Sequence, residues 1–587
     1  MKKPLLLFAF FLFLFSLPLF SLSNEEEGIH WNNILLRDSD DPWELAHHIT
    51  AEMSDEQLLA QIFMMGWIGV EPSPLIMEWI LARNIGGIKV FGWNTEDTRK
   101  LAETIGEFQK NAMESGFGIP LLVATDQEGG MVRHVKGNTS ETPGNMAIGA
   151  SGRPIDAYWT GYYIGKEMAV LGINMNFAPT VDIFNNRYSN LISTRSFGAD
   201  PLMTGVLGAA FAKGHRDAGV IATAKHFPGH GSTAQDSHGV LPRIDISLET
   251  LWSRELLPYR FLINENIPAV MSAHLAFPNT PGGAAPASLS PWFLTSLLRE
   301  DLGFRGVVIT DDLMMGGALN YARSLARAAR QALEAGNDIL MLSATPSLND
   351  AIWTYLLSSM REEPAFRERV EDACRRVLVL KLEYFKGDNV VPFIPDLDEL
   401  DSALPHPEGS AFFLNLAARS VTLIDENSIF PLNPETAGRV LLAGIHGEFF
   451  DAGRRAFPGA FSYRYPSVQN LGDLAFHANN ADTVILCIPG RLGVTAIEQL
   501  RSLNKRLIIF SVLNPGFLDE LPWADGKVIV YSLAPESFIA GFSAILGRIS
   551  AEGRLPFAID GNQPVSPLER RDYLPRESAS RNLSTGD

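Results

Sequence analysis

The segment Lys225–His238, KHFPGHGSTAQDSH, decides how the rest of this 587-residue chain is interpreted. It follows a short apolar stretch, Ala222–Ala224, and its proline and glycines (Pro228, Gly229 and Gly231) are incompatible with a regular helix or a central strand. The sequence therefore predicts a strand that ends in an irregular loop. Three histidines, a lysine and an aspartate share this loop, which indicates chemistry rather than folding alone.

The same succession of short apolar runs and amphipathic stretches surrounds this loop. The predicted strands are Ile85–Phe91, Pro120–Ala124, Met175–Ala178, Ala222–Ala224, Ala269–Ser272, Gly306–Thr310 and Asp338–Leu342. The helical stretches between them include Arg99–Ser115, Pro154–Leu171, Asp200–Asp217 and Ser324–Glu334. Alternating strands and helices predict a parallel sheet with helical crossovers, and this number of units suits a (β/α)8 TIM-type barrel over residues 40–390. Such barrels carry their active sites at the carboxyl ends of the strands.

A second α/β domain is predicted to follow the barrel. A stretch rich in Pro and Asp suggests a linker over residues 391–410, followed by a smaller doubly wound sandwich over 411–570 and a disordered tail over 571–587. The predicted strands of the sandwich are Ser420–Ile424, Val440–Gly444, Thr483–Ile488, Leu507–Val512 and Lys527–Tyr531. The expected fold class is thus α/β, a barrel with a sandwich behind it.

Composition excludes some classes of partner. The chain is 46% hydrophobic and 20% charged, with a formal net charge of −19. This acidic balance argues against nucleic acid and against a stable partner in an anionic membrane. The two cysteines, Cys374 and Cys487, fall in different predicted domains, so no disulfide is expected.

Residues 1–23 have the features of a secretory signal peptide. Lys2 and Lys3 precede an apolar run, Leu5–Phe20, and Ser21-Leu22-Ser23 offers small residues for cleavage. An uncleaved membrane anchor is the alternative, because about 16 apolar residues come near the lower limit for spanning a bilayer. Pro18 and the small residues favour cleavage. The protein is therefore expected to be exported, to the periplasm or the extracellular space.

Three interpretations of the loop compete. His226, His230, Asp236 and His238 are possible metal ligands, but Pro228 rules out the helix that would align the first two. A purely structural role, in which these side chains satisfy buried carbonyls, fits one or two of them. The favoured interpretation is an acid/base dyad, in which Asp236 accepts a hydrogen bond from one imidazole nitrogen of His238 and leaves the other free to exchange a proton.

The strings KHFPGHG and DSH resemble glycoside hydrolase family 3, in its β-N-acetylhexosaminidase branch. Other motifs stand in the order of that family: ATDQEGG (Ala124–Gly130), NFAPTVDI (Asn176–Ile183), TRSFG (Thr194–Gly198), VMSAHLAFP (Val270–Pro278), ASLS (Ala287–Ser290), LLREDLGFRGVVITDDLMM (Leu297–Met315) and ALEAGNDILML (Ala332–Leu342). The resemblance implies a barrel that hydrolyses glycosides. The β-glucosidase branch keeps the Lys-His pair but typically lacks DSH.

Two acids stand at the end of the predicted strand Gly306–Thr310. Successive strand residues point to opposite faces, so only one of Asp311 and Asp312 can face the barrel axis. The resemblance places the nucleophile at Asp311, and Asp312 is expected to orient neighbouring groups or cap the next segment. A glycosidic bond that is broken with retention needs this carboxylate together with a nearby acid/base group.

The acid/base role is assigned to His238, held by Asp236. A neutral imidazole beside Asp311 avoids the repulsion of two close carboxylates. An imidazole can give a proton in one step and take one in the next. Asp236 would fix the tautomer and support the imidazolium, and the expected mechanism is double displacement.

The resemblance also implies substrate-binding residues. Asp126 matches the aspartate that binds the non-reducing sugar, Lys225 and His226 match the Lys-His pair, and Arg195 in TRSFG matches an arginine. The alternative for each is a salt bridge at the barrel rim. The family commonly has an arginine eight residues after the aspartate, where this chain has His134, preceded by Arg133. Either Arg133 substitutes or the outer subsite differs.

The expected function is a retaining exo-β-N-acetylglucosaminidase acting on peptidoglycan fragments, as in peptidoglycan turnover, or on chitooligosaccharides. The alternatives are a phosphorylase, a β-glucosidase or xylosidase on the same scaffold, and a non-catalytic sugar-binding protein. No metal and no organic cofactor is expected, because glycosyl transfer needs only protons and a nucleophile. The sequence does not indicate an oligomeric state.

Overall fold

The computed structural model describes residues 30–31, 41–387, 389–425, 427–468, 470–491 and 494–558. The predicted signal peptide (1–23) and tail (571–587) lie outside these ranges. Within them, no helix has both the length and the apolar character needed to span a bilayer. Cys374 and Cys487 are both buried and free.

The first half of the chain forms a closed parallel barrel. Its strands are β1 Phe63–Gly66, β2 Gly87–Lys89, β3 Leu122–Thr125, β4 Met175–Asn176, β5 Ile221–Phe227, β6 Ala269–Ser272, β7 Val307–Thr310 and β8 Leu340–Leu342. They follow one another round the ring in chain order. β1 pairs with β8, and a parallel bridge between Ile309 and Ile339 joins β7 to the residue before β8. The predicted (β/α)8 barrel is confirmed.

A helix follows each barrel strand and covers the ring. These helices are Pro74–Arg83, Thr98–Met113, Pro154–Val170, Pro201–Asp217, Leu257–Asn264, Trp292–Asp301, Leu325–Ala335 and Ala351–Glu362. Leu325–Ala335 shows why they form: the Ser324 hydroxyl accepts from the Arg327 backbone N–H, and buried residues such as Ala328 and Ala332 recur on one face. Pro42–Glu52, Asp55–Gln61 and Pro364–Tyr384 pack together outside the ring.

Two barrel strands differ from the sequence prediction. β1, FMMG, was not predicted, because it has no β-branched residue and Met-Met-Gly carries little strand preference. β5 continues to Phe227, so Lys225 and His226 lie on the strand and not in the loop as predicted. The strand ends at Pro228, which has no backbone N–H for the ladder, and its pairing with β6 is irregular between Ala224 and Phe227.

The second half forms the predicted doubly wound sandwich. Its strands are β9 Thr422–Ile424, β10 Val440–Gly444, β11 Phe461–Arg464, β12 Thr483–Ile488, β13 Arg506–Ser511 and β14 Gly526–Ile529. The order across the sheet is β9-β14-β13-β12-β10-β11, with β9 antiparallel to its neighbour and the others parallel. Its helices are Pro407–Ser420, Gly447–Ala456, Leu474–Asn479, Val494–Arg501 and Pro535–Ile545. The first of these begins inside the stretch predicted as a linker.

The sandwich packs on the loops at the carboxyl ends of the barrel strands. Phe184, which follows β4, contacts Phe557 with ring centroids 4.9 Å apart. Met146 and Ala147, from the segment after β3, belong to an apolar cluster of the sandwich. The Asn514 amide donates to the Arg187 carbonyl at 3.0 Å. The second domain therefore sits at the end of the barrel where an active site is expected.

Candidate active site

Asp311 lies at the carboxyl end of β7. Its backbone N–H donates to the Ser272 carbonyl at the end of β6 (3.0 Å), and its Oδ1 accepts from the Asp312 backbone N–H (2.8 Å). Burial alone would raise the pKa of Asp311, but His226, His274 and the Asp312 N–H hold it below its ordinary value. The carboxylate is therefore ionised at neutral pH, which is the state that a nucleophile needs.

Asp312 is engaged differently, as the alternation along the strand requires. Its Oδ1 accepts from the backbone N–H groups of Met314 and Ser343, both at 3.0 Å. Its carbonyl lies 3.0 Å from Nε2 of His274, whose Nδ1 lies 2.7 Å from the Ser288 hydroxyl. Asp312 thus connects the turn after β7 to the loop after β8. Among the described contacts, the Asp311 side chain makes no hydrogen bond to a neighbouring loop.

Asp236 and His238 form a hydrogen-bonded pair. Nδ1 of His238 donates to Asp236 Oδ1 at 2.6 Å, and the His238 backbone N–H donates to the same oxygen at 3.0 Å. Partial burial opposes the charge of Asp236, but these two bonds lower its pKa below the ordinary value. The His238 side chain is 71% exposed, so Nε2 is accessible for proton exchange.

Two glycines join this loop to the segment that carries Asp311. The Gly316 and Gly317 backbone N–H groups donate to the carbonyls of His238 and Ser237, both at 3.0 Å. Both glycines open the short helix Gly316–Ala322, which begins shortly after Asp311. A Cβ at Gly316 would lie 2.7 Å from the Gly239 carbonyl oxygen, so a side chain there would displace the loop. The structure therefore brings the dyad to the same rim as Asp311.

A cluster of paired charges fills the mouth of the barrel beside Asp311. Nζ of Lys225 lies between Asp126 Oδ1 and Glu128 Oε1, the latter at 2.6 Å. Arg195 binds Glu128 in a fork, with Nε 2.9 Å from Oε2 and Nη2 2.7 Å from Oε1. Bidentate geometry of this kind fixes the orientation of both groups. Three of the predicted sugar-binding residues thus form one network around Glu128.

Mutual neutralisation keeps this cluster ionised. Burial would raise the pKa of Glu128, but Arg195 and Lys225 lower it to about 2. Burial would lower the pKa of Lys225, but Asp126 and Glu128 raise it above its ordinary value. The pKa of Asp126 is also lowered, because its two lysine neighbours outweigh burial. The mouth of the barrel therefore presents fixed charges and hydrogen-bonding groups that need no rearrangement to receive a polar ligand.

His226 is held by an acid that sequence reasoning missed. Its Nδ1 donates to Asp182 Oδ2 at 2.7 Å, and the His230 backbone N–H donates to Asp182 Oδ1 at 2.6 Å. Burial would raise the pKa of Asp182, but His226 lowers it to about 2. Nε2 of His226 remains toward the cluster, 3.4 Å from Arg195 Nη2. Asp182 is the penultimate residue of the quoted motif NFAPTVDI, which was the available signal.

The structure separates the two candidates for the outer subsite. His134 lies against the site, with Nδ1 3.6 Å from Asp126 Oδ2. Arg133 makes its contacts elsewhere: its guanidinium donates to the Thr139 carbonyl (2.9 Å) and to Glu141 (2.6 Å). Gln127–Gly129 and Val132–Arg133 form an antiparallel hairpin, and the adjacent residues Arg133 and His134 point to opposite sides of it, which explains the difference. Arg133 is therefore not placed to substitute for the arginine that the resemblance led us to expect near Asp126.

The second domain supports the loop that carries Arg195. The carbonyl of Arg195 accepts from the Asn145 amide at 2.8 Å. Upstream in the same loop, Arg187 forms an ion pair with Asp519 of the sandwich. One end of this loop therefore contacts the second domain directly, and the other end contacts Asn145, whose neighbour Met146 packs in an apolar cluster of the sandwich.

Metal ligation finds no support within the described ranges, where no group of three or more His, Cys, Asp or Glu side chains is arranged to hold an ion. His226 and His230, the pair considered for a metal, have ring centroids 5.9 Å apart with the rings nearly perpendicular. The expectation of metal-free catalysis remains a prediction.

Known proteins are similar to this chain in sequence. Residues 56–380 match the N-terminal domain of glycosyl hydrolase family 3. The chain is 32% identical over 380 residues to beta-hexosaminidase A of Pseudoalteromonas piscicida, covering 61% of this chain and 62% of the relative. It is 33% identical to a beta-hexosaminidase of Methylococcus capsulatus, covering 53% of this chain and 91% of the relative.

A solved structure extends the similarity to both domains. The family 3 β-N-acetylglucosaminidase of Paenibacillus sp. str. FPU-7 is 30% identical, with a TM-score of 0.78, and the match covers 86% of this chain and 98% of that one. Since the family match alone spans more than half of the residues, the chain belongs to glycosyl hydrolase family 3.

Proposed function

We propose that this protein is a retaining exo-β-N-acetylglucosaminidase that releases terminal N-acetylglucosamine by double displacement. The observation that carries the proposal is the joint placement of an ionised Asp311 and an Asp236–His238 pair whose loop is hydrogen-bonded to the segment following Asp311. The choice of N-acetylglucosamine as the sugar rests on the names of the similar proteins. Peptidoglycan fragments and chitooligosaccharides are the substrate classes that present such a terminal residue.

In the first step, the Asp311 carboxylate attacks the anomeric carbon. The bond from that carbon to the leaving oxygen breaks, and the electron pair stays on the oxygen, which takes a proton from Nε2 of protonated His238. Asp236 stabilises the imidazolium through the 2.6 Å bond to Nδ1. The products are a glycosyl ester on Asp311, the free leaving group and a neutral His238.

In the second step, neutral His238 takes a proton from water while the water oxygen attacks the anomeric carbon. The ester bond to Asp311 breaks, which restores the carboxylate and the protonated imidazole. Two inversions give net retention. Because the acid/base group is an imidazole, Asp311 never faces a second carboxylate at short range in this role, and its charge is not opposed during attack.

The paired charges at the barrel mouth suit a sugar ring. Asp126 is an acceptor for hydroxyl donors, while Lys225 and Arg195 are donors for hydroxyl oxygens. Glu128 is fully buried and holds these two cations in place. Glu128, Lys225 and Arg195 are fixed before a ligand arrives by contacts of 2.6 to 2.9 Å, and Asp126 is fixed by its ion pair with Lys225. Hydroxyl contacts that strengthen as the ring flattens would then stabilise the transition state more than the bound substrate.

Alanine substitution of these sugar-binding residues should weaken substrate binding. Lys225→Ala, Arg195→Ala and Asp126→Ala should each raise KM by roughly 10- to 100-fold, the cost of losing a charge-assisted hydrogen bond. Asp126→Ala should also lower kcat, because its hydroxyl contacts strengthen in the transition state. Arg133→Ala is the matched control: its guanidinium is bound to Thr139 and Glu141, so KM should stay near the wild-type value. Steady-state kinetics decide, and an unchanged KM in all three variants would contradict the site.

Substrate selectivity tests the proposal itself. Purified protein should hydrolyse nitrophenyl N-acetyl-β-glucosaminide far faster than the β-glucoside or β-xyloside, and from a chitooligosaccharide it should release single terminal residues. A rate that depends on added phosphate, with sugar 1-phosphate as product, would make it a phosphorylase. A faster reaction with the β-glucoside would indicate a β-glucosidase. Binding without turnover would indicate a sugar-binding protein.

Metal removal should leave activity unchanged. Both steps require only protons and the Asp311 carboxylate, so exhaustive dialysis against EDTA should alter kcat by less than about two-fold, within ordinary assay error. Activity that is lost on dialysis and recovered with zinc would instead support the interpretation of His226 and His230 as metal ligands. The same dialysed sample, assayed for fold by circular dichroism, separates a catalytic metal from a structural one.

We also propose that the protein is exported through residues 1–23, with a carbohydrate as its partner. The support is the charged, apolar and small-residue order of that segment. Amino-terminal sequencing of the protein from the host's extracellular or periplasmic fraction should begin near Asn24. An amino terminus at Met1 in the membrane fraction would instead indicate an uncleaved anchor.

A further inference from the structure

Lys89 is a buried cation in the sugar site that no sequence feature predicted. It ends β2 and is fully buried, yet its ammonium contacts three groups. Nζ lies 2.8 Å from Asp126 Oδ2, 2.9 Å from the Val90 carbonyl and 3.3 Å from Nδ1 of His134. The rings of Phe91 and Phe177 flank it, with centroids 4.4 and 5.3 Å from Nζ. Lys89 on β2 and Lys225 on β5 thus each form an ion pair with a different oxygen of Asp126.

These contacts determine where His134 carries its proton. A carboxylate and a carbonyl can only accept, and an ammonium has three protons to give, so the third proton meets Nδ1 of His134. Nδ1 must then hold a lone pair, which leaves the proton on Nε2. Burial and the nearby Lys89 lower the pKa of His134 to about 4, so the ring is neutral at physiological pH.

The ring is also fixed in place. The His134 backbone N–H donates to the Asp126 carbonyl at 3.0 Å, and its own carbonyl accepts from the Thr95 hydroxyl at 2.7 Å. The ring lies against Phe91, with centroids 5.7 Å apart. Nδ1 faces Lys89, Nε2 lies on the other edge of the imidazole, and 29% of the side chain is accessible. His134 is therefore held as an N–H donor at the rim beside the Asp126 acceptor.

We propose that Lys89 is a positioning residue that makes His134 a neutral, single N–H donor to a hydroxyl group at the non-reducing end of the sugar, next to the hydroxyl that Asp126 accepts. The identity of this ligand rests on the proposed function. The positive charge that an arginine would bring to position 134 is supplied instead from beneath the site, by Lys89. Position 134 then offers a hydroxyl group an N–H donor, and presents no cation of its own to an acidic substituent.

Nitrogen NMR of protein labelled at the histidine rings tests the tautomer without any substrate. The His134 signals, assigned by their loss in His134→Gln, should show a bare Nδ1 and a protonated Nε2 at neutral pH. In Lys89→Met the tautomer should become mixed. The titration midpoint should also rise, because Lys89 no longer opposes a charged ring while Asp126 and Glu128 still favour one; Lys225 remains as the opposing cation.

Lys381→Met is the matched control. Lys381 is equally buried, but its Nζ contacts Gln61 Oε1 at 2.9 Å, far along the chain from the site on the helix Pro364–Tyr384. This change should leave the His134 signals as in the wild type. A protonated Nδ1 in the wild type, or an identical tautomer and midpoint in Lys89→Met, would overturn the inference.

Substrate analogues test the donor role. Removing the hydroxyl at carbon 4 or carbon 6 of nitrophenyl N-acetyl-β-glucosaminide should cost the wild type roughly 5- to 10-fold or more in kcat/KM at the position that His134 contacts. In His134→Ala that penalty should fall to near unity, while His134→Gln, whose amide N–H can reach the place of Nε2, should keep part of it. Equal penalties in the wild type and in His134→Ala for both analogues would refute the donor role. Failure of the parent glycoside to react would instead refute the proposed function, and the NMR result would stand apart from it.

Discussion

Asp311→Ala should lower kcat for an aryl N-acetyl-β-glucosaminide by about 10⁴-fold or more, because it removes the carboxylate that forms the glycosyl ester. Substrate binding should change much less, since the charged cluster around Glu128 does not depend on this side chain. Asp311→Asn gives a second form of the test. Its amide oxygen can still accept from the Asp312 N–H, so the turn keeps its bond at 2.8 Å while the nucleophile is lost.

Labelling locates the nucleophile independently of the rate. A slow fluorinated substrate should accumulate as an ester, and peptide mapping should find the added mass on Asp311. Asp312→Asn serves as the control for damage to the turn, because Asp312 bonds the backbone of Met314 and Ser343. Label on Asp312, or full activity in Asp311→Asn, would overturn the assignment.

His238→Ala should lower kcat by roughly 10²- to 10⁴-fold on substrates with poor leaving groups, the range expected for loss of general acid catalysis. The loss should be much smaller on nitrophenyl glycosides, because a good leaving group departs with little protonation. Added azide should restore part of the rate where hydrolysis of the glycosyl ester is limiting, since azide attacks without a general base. Rate measurements across a series of leaving-group pKa values provide the readout.

A partner variant separates proton transfer from loop damage. Asp236→Asn keeps a group that can bond Nδ1 of His238 but removes the negative charge that supports the imidazolium, so its losses should follow the same leaving-group trend at smaller size. His238 is largely exposed, and therefore neither change should lower the melting temperature by more than a degree or two, as for other surface substitutions. An equal loss for every leaving group would remove His238 from the acid role.

Much of the barrel was predictable, because its strands are apolar runs with a helix after each. Seven of the eight strands were located from such runs. β1 was not, since its four residues, Phe63–Gly66, carry no β-branched side chain and become a strand only through pairing with β2 and β8. The edge strand Phe461–Arg464 was not predicted for a different reason. Its half-buried and exposed residues alternate, and it contains no apolar run.

The site was predictable where a motif names the residue and not where charges compensate in space. Asp311, His238 and Asp126 each stand in a quoted string. Glu128 stands in the same string as Asp126, and Lys89 stands within a predicted strand, but nothing in either pattern shows their partners far along the chain: Glu128 contacts Arg195 and Lys225, and Lys89 contacts Asp126. Pairing across strands is a property of the closed ring, and a linear pattern does not contain it.

The Arg133 and His134 ambiguity illustrates the same limit. The sequence shows two basic residues where one arginine was expected, and the choice between them depends on which side of the hairpin each faces. The structure turns His134 toward Asp126 and Arg133 toward Glu141. It also brings in Lys89 from β2, which supplies the missing positive charge near Asp126.

The stereochemistry of the first-formed sugar tests the central claim most directly. Proton NMR of a β-N-acetylglucosaminide reaction, recorded before the product equilibrates, reports which anomer of N-acetylglucosamine leaves the enzyme. Double displacement through Asp311 predicts the β-anomer first, followed by slow appearance of the α-anomer in solution. An initial α-anomer would mean a single displacement by water and would contradict the role of Asp311 as the nucleophile.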